Sequence, residues 1–158
     1  MNVASYLKPF QSFLVLAGAV FLLSVLPATA GDVKPGKYSG LNGSTGRISF
    51  KVDNKGRSLS KLNVSMFALA VDDNGYASGF KVLASDLGGK KFRISKSGRF
   101  TARGMDANGI EYNVSGKAKG KKFKGTSVMK KYQTSYYDSF FGYYVYELVQ
   151  GSREFTAK

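Results

Sequence analysis

The stretch GKAKGKKFKG, residues 116–125, holds five lysines in ten positions. Ammonium groups at that density do Coulombic chemistry. They hold anions, and a polyanion bound to them gains free energy by releasing its own condensed counter-ions. The other titratable residues narrow the choice further. The chain has no His and no Cys. That removes Cys- and His-based nucleophilic catalysis, most zinc sites and the usual proton shuttle near neutral pH. Asp72 and Asp73 fall in one turn and Asp106 opens another, where the carboxylate accepts backbone N–H bonds. Glu147 is expected to face outward from its strand. No two carboxylates share a strand face at a glycosidase spacing. The DDNG segment is too short for a calcium loop and lacks its closing Glu. The sequence therefore predicts a non-enzymatic protein with no cofactor and no metal site. Three N-x-S sequons, at Asn42, Asn63 and Asn113, read as chance matches.

The lysines belong to a chain of 158 residues with 24 Lys+Arg against 10 Asp+Glu, a net charge of +14. The length suits one domain with a core of its own. The N-terminus has the three parts of a secretory signal: Lys8, an apolar run from Phe13 to Leu26, and the small-x-small site Ala28-Thr29-Ala30. The run is short for a membrane-spanning helix, which takes about 20 residues. Cleavage after Ala30 is expected. It leaves 31–158 as a single exported all-β domain with no transmembrane helix, periplasmic, at the cell surface or secreted. Without Cys, no disulfide staples the fold.

Glycines punctuate that region. DNKGR (53–57), DDNGY (72–76), SKSGR (95–99) and DANGI (106–110) each place Gly last in a three-residue loop, the position that wants positive φ. Gly120-Lys121 and Gly151-Ser152 read as two-residue turns. The flanking apolar residues then alternate in register. Ile48 is expected opposite Leu62, Ala68 opposite Phe80, Met66 opposite Val82, Ile94 opposite Phe100, Ala102 opposite Val114, Ala118 opposite Phe123 and Leu148 opposite Phe155. The expected strands are 36–42, 46–53, 57–72, 76–86, 90–95, 99–106, 110–119, 122–131, 143–150 and 153–157. They make an antiparallel up-and-down meander of about ten strands that closes as a β-barrel, or alternatively folds into a two-sheet β-sandwich. The expected core is Ile48, Phe50, Val52, Leu62, Val64, Met66, Phe80, Val82, Phe92, Ile94, Phe100, Ile110, Tyr112, Val114, Phe123 and Met129.

This register positions the lysines. Lys119 faces Lys122 and Lys117 faces Lys124, like charges directly across a strand pair. Arg99 joins the row from the preceding strand. Arg99, Lys117, Lys119, Lys122 and Lys124 are thus the candidate site for an anionic polymer: lipopolysaccharide, acidic polysaccharide or nucleic acid. The plain alternative is a solvated face whose lysines discourage edge-to-edge aggregation.

A second candidate lies in YQTSYYDSFFGYYVYELV (132–149), with eight Tyr and Phe between 132 and 146. Tyr136, Tyr137, Phe140 and Phe141 are expected in a long loop, 132–142. There they would cover one end of the barrel, or stack on sugar rings or roof a ligand cavity. Tyr144, Tyr146 and Leu148 are expected to point inward. Two other functions compete with the basic face. One is a hollow barrel carrying a small apolar ligand. The other is an outer-membrane barrel, disfavoured by strands shorter than the 9–11 residues a crossing needs.

Overall fold

A computed structural model describes residues 33–158; the expected signal segment, 1–30, lies outside the described residues. The chain forms nine antiparallel strands: β1 (Gly36–Asn42), β2 (Gly46–Val52), β3 (Ser58–Asp72), β4 (Ala77–Asp86), β5 (Phe92–Arg93), β6 (Arg99–Met105), β7 (Glu111–Lys119), β8 (Lys122–Asp138) and β9 (Tyr143–Ala157). They join in one sheet in the order β4-β3-β2-β1-β9-β8-β7-β6, and the short β5 pairs with the start of β3. The fold is all-β and a meander, with nine strands rather than ten. The second half of β3 also pairs with β9, Leu69 opposite Gln150 through Asp72 opposite Glu147. The β1–β2 hairpin therefore sits as a wedge between β3 and β9, and ring closure runs unevenly through β1, β2, β3 and β9.

The glycine turns form where expected. Gly56, Gly75, Gly98 and Gly109 all have positive φ, between 65° and 85°. Carboxylates brace three of them. Asp53 Oδ1 accepts the Arg57 N–H at 2.8 Å, Asp72 Oδ1 the Tyr76 N–H at 2.8 Å, and Asp106 Oδ1 the Ile110 N–H at 2.9 Å. The β5–β6, β6–β7 and β7–β8 registers are as expected: Ile94 faces Phe100, Ala102 faces Val114, and Ala118 faces Phe123.

Three registers differ. After β2 the turn is one residue longer, closing at Asp53 and Ser58, and β3 then bulges at Lys61, a non-glycine with φ 52°. Ile48 therefore faces Val64, not Leu62, and Leu59 joins Leu62 in the core. Between β3 and β4 a bulge follows Ala70, opposite Gly79. A one-residue shift exchanges the two faces of a strand. Phe80 and Val82, expected in the core, are consequently 71% and 58% exposed, and Leu83 is buried instead. Gly151-Ser152 is not a turn: β9 runs straight through it. Gly151 is needed for close approach, since a Cβ there would stand 2.8 Å from Met66 Sδ. With that turn gone, the parity of β9 reverses. Val145, Glu147 and Val149 point in, while Tyr144 and Tyr146 point out.

The core gathers under one end of the sheet. Phe123 is fully buried, with ring centroids of Tyr38 at 4.8 Å, Phe50 at 5.0 Å and Phe100 at 5.9 Å. Gly116 and Gly125 make room for Phe100 and Phe155 beside it. At the tip of the β1–β2 wedge the buried Asn42 accepts the Ser127 hydroxyl at 2.7 Å and donates to the Ser65 carbonyl at 3.0 Å. Its first sequon is thus committed to structure.

Candidate functional site

Phe123 explains why the lysines sit where they do. Its ring plugs the core from β8, so the strand's alternation sends Lys122 and Lys124 to the outer face. The tight turn at Gly120, φ 62°, returns the chain so that Lys119 faces Lys122 and Lys117 faces Lys124. Arg99 faces Lys117 from β6. All five candidate residues are exposed on one face of three adjacent strands, the arrangement expected from the sequence.

The positive surface is wider than the sequence reading. Lys124 faces Thr156 on β9, and Leu41 on β1 links Thr156 to Arg47 on β2. Lys37 faces Lys51 in the same hairpin. The C-terminal Lys158 exchanges backbone hydrogen bonds with Ser39, at 3.0 Å each way. Periodicity alone could not find these neighbours, because they depend on β1 pairing with β9 across the whole length of the chain. A shallow groove crosses the face between Arg99, Thr101, Ser115, Lys117, Lys124 and Thr126.

Acidic side chains do not neutralise this surface. Among the described residues the ion pairs are Lys81 with Glu147 and Lys130 with Glu111; neither touches the five candidates. Glu154 is an exposed acid on the neighbouring row, opposite Thr126. Asp53, Asp72, Asp86, Asp106 and Asp138 brace turns, Asp73 accepts the Tyr146 N–H at 3.3 Å, and no group of three acidic residues that could hold a metal occurs among the described residues. No protein-family model, curated protein or solved structure matches the chain. Its chemistry must be read from its own side chains.

The aromatic candidates lie elsewhere. β8 and β9 extend as a long hairpin, so Tyr136 and Tyr137 are strand residues, opposite Val145 and Tyr144, rather than loop residues. The turn that follows is short and is closed by Gly142 N–H donating to the Asp138 carbonyl at 2.8 Å. The aromatics do not pack down over the core. Phe140 is 88% exposed, and Phe141, Tyr136 and Tyr137 are exposed too. Tyr137 and Tyr144 tilt together at 4.9 Å, and Phe141 stacks on Tyr143 at 5.9 Å. β8 separates this tip from the lysines by most of its 17 residues, on the order of 50 Å at ~3.3 Å per residue.

Glu147 is among the residues that the sequence pattern places on the wrong face. It is fully buried, not outward. Its carboxylate accepts from the Lys81 ammonium, from Gln133 Nε2 at 2.8 Å and from Ser78 Oγ at 2.9 Å. Burial pushes its carboxyl up, but the Lys81, Gln133 and Ser78 donors outweigh that and hold it below the usual glutamate range. Every partner holds the carboxylate in place and none is a free proton acceptor. The cluster therefore ties β4, β8 and β9 together; it does not offer acid–base chemistry.

Proposed function

We propose that this protein is an exported, non-enzymatic β-domain whose basic outer face binds an anionic polymer. The observation that carries the reading is the unpaired state of Arg99, Lys117, Lys119, Lys122 and Lys124 on adjacent strands. Like charges set opposite one another on neighbouring strands are locally destabilising. A bound polyanion relieves that repulsion and contributes counter-ion entropy as well. Thr101, Ser115 and Thr126 in the groove add neutral hydrogen-bonding groups beside the charges. Export rests on the signal-like segment 1–30.

We read the sheet as a barrel in which β5 links β3 to β6 through the Ile94–Phe100 bridge. The interlocked Tyr38, Phe50, Phe100, Phe123 and Phe155 rings fill its broad end. That filling favours a surface site over a carrier cavity. Binding of the protein to heparin, lipopolysaccharide and duplex DNA at 50 mM salt tests the reading. Saturable binding to at least one is expected, and binding to none would refute it.

A further inference from the structure

The free end of the β8–β9 hairpin has a chemistry that neither the basic face nor the core uses. Pairing of β8 with β7 stops at Lys130, and pairing of β9 with β3 stops at Glu147. Among the described residues, Thr134–Asp138 and Tyr143–Tyr146 then pair only with each other, as a two-stranded ribbon that extends beyond its neighbours. Six aromatic side chains crowd its end: Tyr136, Tyr137, Phe140, Phe141, Tyr143 and Tyr144, with exposures from 52% to 88%. Tyr136 is opposite Val145 and Tyr143 is opposite Asp138, so these two tyrosines share one face; Tyr137 and Tyr144 face each other on the other. Aromatic rings are thus exposed on both faces of the ribbon. The segment 132–152 holds no Lys or Arg, in a chain with 24. Its charges are Asp138 and Glu147, and Glu147 is buried against Lys81. At the base of the ribbon stand Lys131, opposite Val149, and Asp73, whose carboxylate accepts the Tyr146 N–H at 3.3 Å.

Exposure on both faces identifies the occupant. A protein surface or a sugar ring covers one face of a ribbon, whereas a lipid interface surrounds it. The aromatics are also graded along the axis. Phe140 and Phe141 form the apex, and the tyrosines follow one to three rungs behind, at ~3.3 Å per rung. A phenyl ring suits the acyl boundary. A phenol, apolar in its body and polar at its hydroxyl, suits the headgroup layer. That layer is about 5–8 Å deep on each side of a bilayer, the depth that two rungs span. Asp138, opposite Tyr143, lies at the level of the tyrosines, so its charge stays in the wet layer. Its Oδ1 accepts the Phe140 and Phe141 N–H groups at 3.0 and 3.1 Å and holds the apex in shape. The open edges of a two-stranded ribbon need water, which keeps it at the interface and out of the hydrocarbon. The net charge of +14 draws the whole chain toward an anionic leaflet. We propose that the β8–β9 tip anchors this protein at a phospholipid bilayer interface, with Phe140 and Phe141 at the acyl boundary.

The lysine hairpin lies on the order of 50 Å from this tip, well beyond the ~8 Å Debye length at physiological salt. The hold of the tip on lipid is therefore separable from the hold of the lysines on a polymer. The test is co-sedimentation of the protein, purified from the compartment where it accumulates, with vesicles of phosphatidylcholine alone or with about 30% phosphatidylglycerol, at 50 and 500 mM NaCl. Binding to both is expected, tighter on the anionic vesicles at 50 mM and alike on the two at 500 mM. Phe140→Ser/Phe141→Ser should bind vesicles roughly 30-fold more weakly or worse, because two rings leave the apolar boundary, and should bind heparin as wild type does. Phe140→Leu/Phe141→Leu should retain vesicle binding, which stacking on a sugar would not survive. Both variants change exposed side chains, and circular dichroism checks that they stay folded. Phe140→Trp puts a single Trp into a chain that has none. Its emission should shift to the blue with vesicles and be quenched by lipids brominated in the acyl chain. Absence of co-sedimentation at 500 mM NaCl overturns the proposal. So does binding indifferent to Phe140→Ser/Phe141→Ser, or phosphatidylcholine binding lost when Lys117, Lys119, Lys122 and Lys124 are changed to Ser. Growth in mass without vesicles, abolished by Phe140→Ser/Phe141→Ser, overturns it in favour of self-association through the tip.

Discussion

Removing the Glu147 carboxylate should destabilise the fold without touching the basic face. In Glu147→Ala the protein loses three charge-assisted hydrogen bonds to the carboxylate, from Lys81, Gln133 and Ser78. A bond to a charged group contributes about 1.5–3 kcal/mol, and relief of the carboxylate's own burial offsets much of that sum. The Lys81 side chain is 39% exposed and can turn to water, which limits the penalty of leaving its charge unpaired. A loss on the order of 3 kcal/mol is expected. Glu147→Gln keeps the shape and one acceptor oxygen, and should lose about 1–2 kcal/mol. Lys81→Met with Glu147→Leu replaces the pair by apolar groups and should fall close to wild type, within ~1 kcal/mol. Urea unfolding at pH 7 reads all three. The pH dependence gives a second check with a fixed sign. The folded Glu147 carboxyl titrates below its unfolded range. Its contribution is thus present above about pH 4.3 and is lost as pH falls through the lower folded value. Wild type should lose more stability than Glu147→Gln between pH 6 and pH 3. Asp53 and Asp106, also held low, are common to both proteins and cancel in the comparison. A Glu147→Ala loss below ~1 kcal/mol, or identical acid profiles for wild type and Glu147→Gln, would refute the buried-acceptor argument.

Two further outcomes test the framework that carries the lysines. Phe123→Ala should cost about 3–5 kcal/mol in urea unfolding, because its ring is fully buried between Tyr38, Phe50 and Phe100; a loss under 1 kcal/mol would mean that the core is not anchored there. Gly98→Val should destabilise by more than ~1 kcal/mol, since a β-branched residue is strained at φ 75° and its Cβ would approach Ala118 Cβ to 3.2 Å. A neutral Gly98→Val would contradict the β5–β6 turn.

The part of the molecule legible in sequence is the part built from tight turns and clean alternation. Between Ser95 and Lys124 two turns end on a glycine and the third, Gly120-Lys121, begins on one, and Phe100, Val114 and Phe123 leave one choice of face. The basic hairpin could be placed for that reason. β4 pointed the wrong way. In FKVLAS the alternation Phe80-Val82-Ala84 is apolar and Lys81-Leu83-Ser85 mostly polar, so the pattern marks Val82 rather than Leu83 as the inward residue, and the bulge beside Gly79 reversed the faces. Gly151 misled for another reason. A glycine that admits Met66 looks, in one dimension, like a glycine that turns the chain. That single misreading turned Glu147 outward and Tyr146 inward. The wedge of β1 and β2 between β3 and β9 joins residues more than a hundred positions apart, and local periodicity carries no trace of it. Lys37, Lys51 and Lys158 entered the basic surface only through that pairing.

The salt dependence of polyanion binding tests the role of the lysine hairpin most directly. Wild type and the Lys117→Ser/Lys119→Ser/Lys122→Ser/Lys124→Ser variant are titrated with heparin, lipopolysaccharide and DNA from 50 to 200 mM NaCl. Five neutralised contacts correspond to a log–log slope of roughly −3.5 to −4.5, a fall of roughly 130- to 500-fold over that range. The variant, whose changed side chains are all exposed, should fold normally, bind more weakly, and have a slope shallower by about 3. Equal affinity and equal slope in wild type and variant would contradict the proposal and place the binding surface elsewhere.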